Sequence, residues 1–150
     1  MLDFQVRADG VRRNLLRIAK GLDDFRPFFD KQGRDILQKS LDQVFRTNGF
    51  GSWSPLAPST IQNKHRRGDP TATLVATGSL IRSVTALRGI RRTKFTLTMT
   101  HTTPYGQFHE TGTSRMPARP IFGLVATRVQ SPFVRALTEY INRQVIRNAR

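Results

Sequence analysis

The apolar residues of this chain switch period, from helical to alternating and back to helical, and few folds accommodate that order. Val11, Leu15, Ile18, Leu22 and Phe25 recur at intervals of four and three, the spacing of one helical face. Pro27 should break or kink that helix near residue 26, because proline is tolerated in a first turn and disrupts an interior. A second stripe of Phe29, Ile36, Leu37, Leu41, Val44 and Phe45 ends at Thr47-Asn48-Gly49, where Asn and Gly supply a left-handed stop. Phe95, Leu97 and Met99 then alternate with Thr96, Thr98 and Thr100, which predicts a strand with its apolar side on the core. Val84, Ala86 and Arg88 repeat the alternation, and residues 105–110 read as a further strand. Helical spacing returns at Phe133, Leu137, Tyr140, Ile141 and Val145, with Ser131 as N-cap and Pro132 in the first turn. Each amphipathic stripe needs a face to cover. The predicted class is therefore α+β, an antiparallel sheet of about four strands packed against long N-terminal helices and a C-terminal helix.

At 150 residues and 37% hydrophobic content, residues 1–150 suit one domain. Gly, Ser and Pro punctuate the middle of the chain, so flexible loops are expected at 47–73, 88–94 and 111–117. Within the first of these, Ser59 or Thr60 is a candidate cap for a short helical turn through Lys64. No stretch approaches the roughly 20 apolar residues that cross a bilayer, and the charged start lacks a secretory pattern, so a soluble protein without a membrane partner is expected.

Charge points to a partner. The chain carries 25 Lys+Arg against 10 Asp+Glu, a formal +15. Residues 1–50 hold 10 basic and 7 acidic residues, whereas residues 51–150 hold 15 basic residues and only Asp69, Glu110 and Glu139. A field of one sign favours nucleic acid or an acidic protein surface. Two clusters stand out as contact candidates: Lys64, Arg66 and Arg67 beside the turn at Gly68-Asp69-Pro70, and Arg88, Arg91, Arg92 and Lys94 in a hairpin loop.

Catalytic patterns are poorly represented. Without cysteine there is no disulfide, no thiolate nucleophile and no Cys-based zinc site. The His109-Glu110 pair invites a zinc-hydrolase reading, but the residue four after His109 is Thr113, so the His-Glu-x-x-His frame is broken. No Ser stands in a Gly-x-Ser-x-Gly elbow, and no phosphate-binding Gly-x4-Gly-Lys loop occurs. The later carboxylates lie far apart in sequence, which disfavours paired-acid chemistry. A non-enzyme without cofactor or metal is the expectation. Sequence-specific nucleic-acid recognition lacks a signature too, since no zinc finger or RNA-recognition motif is present.

Four short motifs occur in order: "GSWSPLAPSTIQNK" (51–64), "LVATGSLIRSV" (74–84), "PYGQFHETG" (104–112) and "PARPIFGL" (117–124). Together they resemble the phage virion morphogenesis family, the tail-completion or head-tail joining proteins of tailed bacteriophages. The resemblance covers residues 49–124 and implies a structural protein of the virion neck or head-proximal tail end, made in the host bacterial cytoplasm. It further implies a homo-oligomeric ring, six-fold or twelve-fold, that touches connector and tail proteins. In that setting the basic loops face either the passing genome, without reading its bases, or acidic partner surfaces. Motif residues Trp53, Leu56, Gly78, Leu80, Tyr105, His109, Glu110, Gly112, Arg119 and Pro120 would serve packing or the oligomer interface. Trp53, Leu56, Tyr105 and Phe108 read mainly as packing, and Arg119 as a clamp on a carboxylate, with Glu110 of the same subunit or of its neighbour the obvious partner. The alternative from charge alone is a free-standing basic nucleic-acid-binding protein.

Overall fold

Residues 16–17, 19–100 and 102–149 are described by the computed structural model. Val11, Leu15 and Ile18, which open the first expected stripe, lie outside them. Residues 19–21 are helical and the chain leaves the helix at 22–25, just ahead of Pro27 as its ring requires. Asp24 Oδ1 then accepts the Arg26 backbone N–H at 2.9 Å, meeting one of the donors that a helix start leaves open. Helix α1 (Arg26–Phe28) runs into a π-helical turn (Phe29–Gly33) and on into α2 (Arg34–Arg46). Asn48 (φ 50°) and Gly49 (φ 67°) stop α2 in the left-handed region, as their residue types predict.

The other elements are α3 (Pro58–Arg67), α4 (Ser79–Thr85), β1 (Ile90–Arg92), β2 (Leu97–Met99), α5 (Gly106–Thr111) and α6 (Phe122–Ala149). Helix α2 packs against α6, with α4 beside it. Leu41, Val44, Ile121 and Val125 are almost wholly buried at the centre, with Leu37, Trp53, Leu80, Val84 and Leu87 around them. A second apolar body sits further along α6, where Phe133 meets Phe28 edge-on at 5.2 Å and Tyr140 meets Phe28 at 5.5 Å. Gly33 allows this approach, since an added Cβ would stand 3.3 Å from the Phe133 ring.

The class is mixed α and β with a C-terminal helix, but the sheet is smaller than the alternation suggested. Among the described residues it has two antiparallel strands, in the register Ile90↔Met99, Arg91↔Thr98, Arg92↔Leu97. Two expected strands are helices. In residues 79–87, Leu80, Val84 and Leu87 are the buried set, and their i, i+4, i+7 spacing outweighs the weaker alternation of Val84, Ala86 and Arg88. Residues 105–110 belong largely to α5, whose residue Glu110 reaches back to the start of α6.

The hairpin is displaced as well. Its turn is 93–96, not 88–94, and is closed by the Thr93 N–H to the Thr96 carbonyl at 2.9 Å and by a 2.7 Å hydroxyl pair between the same residues. Phe95 consequently sits on that turn, 60% exposed, instead of on the core face. The final helix also begins earlier. It starts at Phe122 and carries Pro132 internally, at the cost of one helical hydrogen bond. Burial of Ile121 and Val125 before the proline and of Phe133 against Phe28 after it holds both halves in one helix. Finally, α3 has Ala57 at its N-cap and no side-chain cap bond, so neither Ser59 nor Thr60 caps it. Pro58, with φ preset for a first turn, takes that place.

Candidate functional site: a polar knot joining the motifs, and the cations around it

The motif residues that sequence reading singled out come together mostly as partners of one another. Trp53 is buried, stacks edge-on with Phe45 at 5.8 Å, and donates its indole N–H to the Pro120 carbonyl at 2.9 Å. Arg119, only 6% exposed, donates Nε to the Ser54 carbonyl at 3.1 Å and Nη2 to the Pro55 carbonyl at 3.2 Å. The first and fourth motifs are thus joined twice. The planar guanidinium fork suits this task, because it serves two adjacent carbonyls at once.

Within the subunit, two separate arrangements stand where an Arg119–Glu110 clamp was expected. Glu110 Oε1 accepts the backbone N–H groups of Ile121 and Phe122, each at 2.8 Å, while Oε2 lies 3.5 Å from the Gly123 N–H. A carboxylate placed there meets the unbonded donors and the positive end of the α6 dipole. The neighbouring His109 offers its carbonyl to the Arg119 backbone N–H at 2.7 Å, and its ring meets Tyr105 edge-on at 6.1 Å. The pair that opened the question of hydrolysis therefore ties α5 to the start of α6.

Two glycines make the crossing possible. Gly112 (φ 73°) ends α5 where an added Cβ would stand 2.8 Å from Ala118 N and 3.0 Å from the Met116 carbonyl. The 111–117 segment is closed by the Thr113–Met116 bridge. Gly78 (φ 74°) precedes α4, and Leu80 is buried beneath it. The second and third motifs meet through the Ser79 and Tyr105 hydroxyls, 2.7 Å apart. Leu56 is half-buried. Tyr105, at the N-cap of α5, and Phe108 within it do not pack inward as expected: they are 40% and 46% exposed, because the helix turns Gly106 and Glu110 to the interior side instead.

The expected cation clusters separate by role. Lys64 is structural: its ammonium donates to the carbonyls of Pro70 at 2.7 Å, Ala72 at 2.9 Å and Val75, pinning the irregular segment after α3. Arg66 and Arg67 are exposed in the last turn of α3, where positive charge complements the helix dipole. Arg92 pairs with Asp30 at 2.6 Å and Lys94 with Asp23 at 3.4 Å. Both therefore link the hairpin to the N-terminal segment, at the bend of residues 22–25 and at the π-helical turn. Arg88 and Arg91 are exposed and, among the described residues, carry no ion pair.

Arg82, which sequence reading did not select, shares a hollow with Arg88. The signal that could have found it is the helical spacing of Leu80, Val84 and Leu87, which turns Arg82 outward. Among the described residues no three His, Asp or Glu side chains converge in a metal-binding group, and no helix is long and apolar enough to cross a membrane. Compared with protein-family models, with curated proteins and with solved structures, the chain finds no match.

Proposed function

We propose that this chain is a structural, non-catalytic protein of a tailed-phage neck or tail-completion complex, acting as one subunit of a closed ring between head and tail. One observation carries the reading: the polar residues of the four ordered motifs are engaged in holding those motifs to each other. Trp53 with Pro120, Arg119 with Ser54 and Pro55, Glu110 with Ile121 and Phe122, and Ser79 with Tyr105 make a single rigid crossing. The links through Trp53, Arg119 and Glu110 are part-buried, and polar links shielded in this way favour one geometry. A ring subunit needs that property, because a heterologous interface closes only if every copy presents the same angle.

The outward side of the crossing supplies contact groups. Tyr105 and Phe108 are exposed aromatics at the start of α5 and within it, of the type enriched in protein interfaces; we assign them to the contact between neighbouring copies. Arg91 of the hairpin, with Arg82 and Arg88 at α4, is assigned to the genome path or to acidic partner surfaces. The test is deletion of the gene from its parent phage or prophage, with lysates imaged by electron microscopy. Unjoined heads and tails are the predicted result. Normal infectious particles would remove the proposal.

A further inference from the structure

The geometry points to the outer face of α4 as a binding site for the phosphodiester backbone of nucleic acid, formed by Arg82, Arg88 and Ser79. It deepens the reading of a cationic surface that meets a genome, and rests on that reading for its biological setting. The three residues line one solvent-facing hollow of about 460 Å³, together with Ser83, Thr85 and Ala86.

Local structure explains how two like charges come to share it. Helix α4 buries Leu80 and Val84, which leaves Ser79, Arg82 and Ser83 on the opposite side. Leu87 then adopts a left-handed φ of 54° while its side chain stays buried at 5% exposure. That reversal carries Arg88 back beside the end of the helix. At the other end Gly78 leaves room for Arg82, whose Nη1 would stand 2.9 Å from an added Cβ.

Charge then selects the ligand. No Asp or Glu lines the hollow, and among the described residues neither arginine has an ion pair, in contrast to Arg26, Arg92, Lys94 and Arg143. Two unneutralised guanidinium forks favour an oxyanion with several acceptor oxygens. The Ser79 hydroxyl can accept from Tyr105 and turn its own proton toward that anion. Ser83 and Thr85 are occupied, donating to the carbonyls of Leu80 and Ile81 at 2.7 Å each. An acidic protein surface is a poorer fit, because protein interfaces centre on apolar and aromatic anchors; this lining has only Ala86. Phosphates need no such anchor and are held without base readout.

The test is fluorescence anisotropy of the full chain with a labelled random-sequence DNA duplex over a salt series, with labelled poly-glutamate as the protein-like polyanion. Arg82 and Arg88 are both changed to Gln in one variant; Arg135 and Arg147, exposed on α6 and without an ion pair among the described residues, are both changed to Gln in another as a matched loss of charge. The α4 variant should bind duplex about tenfold to a hundredfold more weakly near 0.1 M salt. Its log–log salt slope should fall by about two, since each neutralised phosphate contributes roughly 0.9. The α6 variant should lose less than half of that slope. Equal losses in the two variants would overturn the site, as would a wild-type chain that fails to bind duplex. So would an α4 variant that loses poly-glutamate and keeps DNA. Any of these results paired with a deletion phage that still fails to join heads to tails would remove this site and leave the ring proposal standing.

Discussion

Trp53 and Pro120 stand 67 positions apart in the chain and are joined by one hydrogen bond of 2.9 Å, from the indole N–H to the proline carbonyl. Around that bond the chain closes its irregular middle onto the start of its longest helix. The same indole fills the space over Gly49, where an added Cβ would come within 2.3 Å of the ring. Shape and hydrogen bonding at Trp53 are therefore separable.

Trp53→Phe keeps most of the ring and removes the donor. It should lower unfolding free energy by about 1–2 kcal/mol, the value of one partly buried hydrogen bond and its stranded acceptor. Trp53→Ala also opens a cavity and should cost about 3–5 kcal/mol. Urea denaturation followed by circular dichroism reads both, and a Trp53→Phe variant as stable as wild type would show that the bond to Pro120 contributes nothing.

Arg119→Lys retains the charge but lacks the fork that serves Ser54 and Pro55 together. Stability should fall by about 1.5–3 kcal/mol. Proteolysis between residues 51 and 57 should become faster, because the carbonyls of that segment lose their anchor. Unchanged cleavage would contradict the role assigned to the guanidinium.

Glu110→Ala removes the acceptor at the start of α6. A loss of about 1–2 kcal/mol is expected from capping and dipole effects. Hydrogen exchange at the Ile121 and Phe122 amides should accelerate, with amides beyond Pro132 less affected. Exchange that stays slow at both amides would assign their protection to another group.

Gly68 and Gly112 both have positive φ, 71° and 73°, but Gly68 is left-handed with ψ 17° whereas Gly112, with ψ −178°, sits in a region essentially confined to glycine; they differ in space too, since a Cβ at Gly112 would meet Ala118 and Met116 and one at Gly68 would meet nothing within 4 Å. Gly68→Ala should cost about 1 kcal/mol from left-handed strain alone. Gly112→Ala should cost at least about 1 kcal/mol more. Thermal or urea unfolding of the two variants side by side checks the order.

The pair at the start of α1 gives a pH signature. A side-chain hydrogen bond from Arg26 holds the Asp24 carboxyl at about 2, below its ordinary 3.8. A carboxyl depressed in the folded state stabilises above its unfolded value, and the stabilisation fades as pH falls from about 4 toward 2. The difference between wild type and Asp24→Asn should therefore be constant above pH 5 and shrink below pH 4. Its size will be small and salt-sensitive at this surface position.

Helices with a long apolar stripe and a firm stop were legible in the sequence. The run from Phe29 to Phe45 and its end at Asn48-Gly49 needed only periodicity and left-handed preference. Strands were over-read where few apolar residues fit two periods at once: Val84 belongs equally to an alternating Val84-Ala86-Arg88 and to a helical Leu80-Val84-Leu87. Burial of the latter set decided the matter. Pro132 misled in the same way, since a local preference for a helix start yielded to packing on both of its sides. The site was half visible. The residue types in the four motifs marked Trp53, Glu110 and Arg119, but their partners are backbone groups 11 to 67 positions away, which no side-chain pattern discloses. Arg92 and Lys94 looked like free cations because Asp30 and Asp23 are remote in sequence.

If the chain is the proposed neck subunit, a cryo-electron microscopy map of the tailed-phage particle that encodes it should show a closed ring of copies of this fold at the head-tail junction, with α5 at the contact between neighbours. Mature infectious particles that contain no copy of the chain would contradict that proposal.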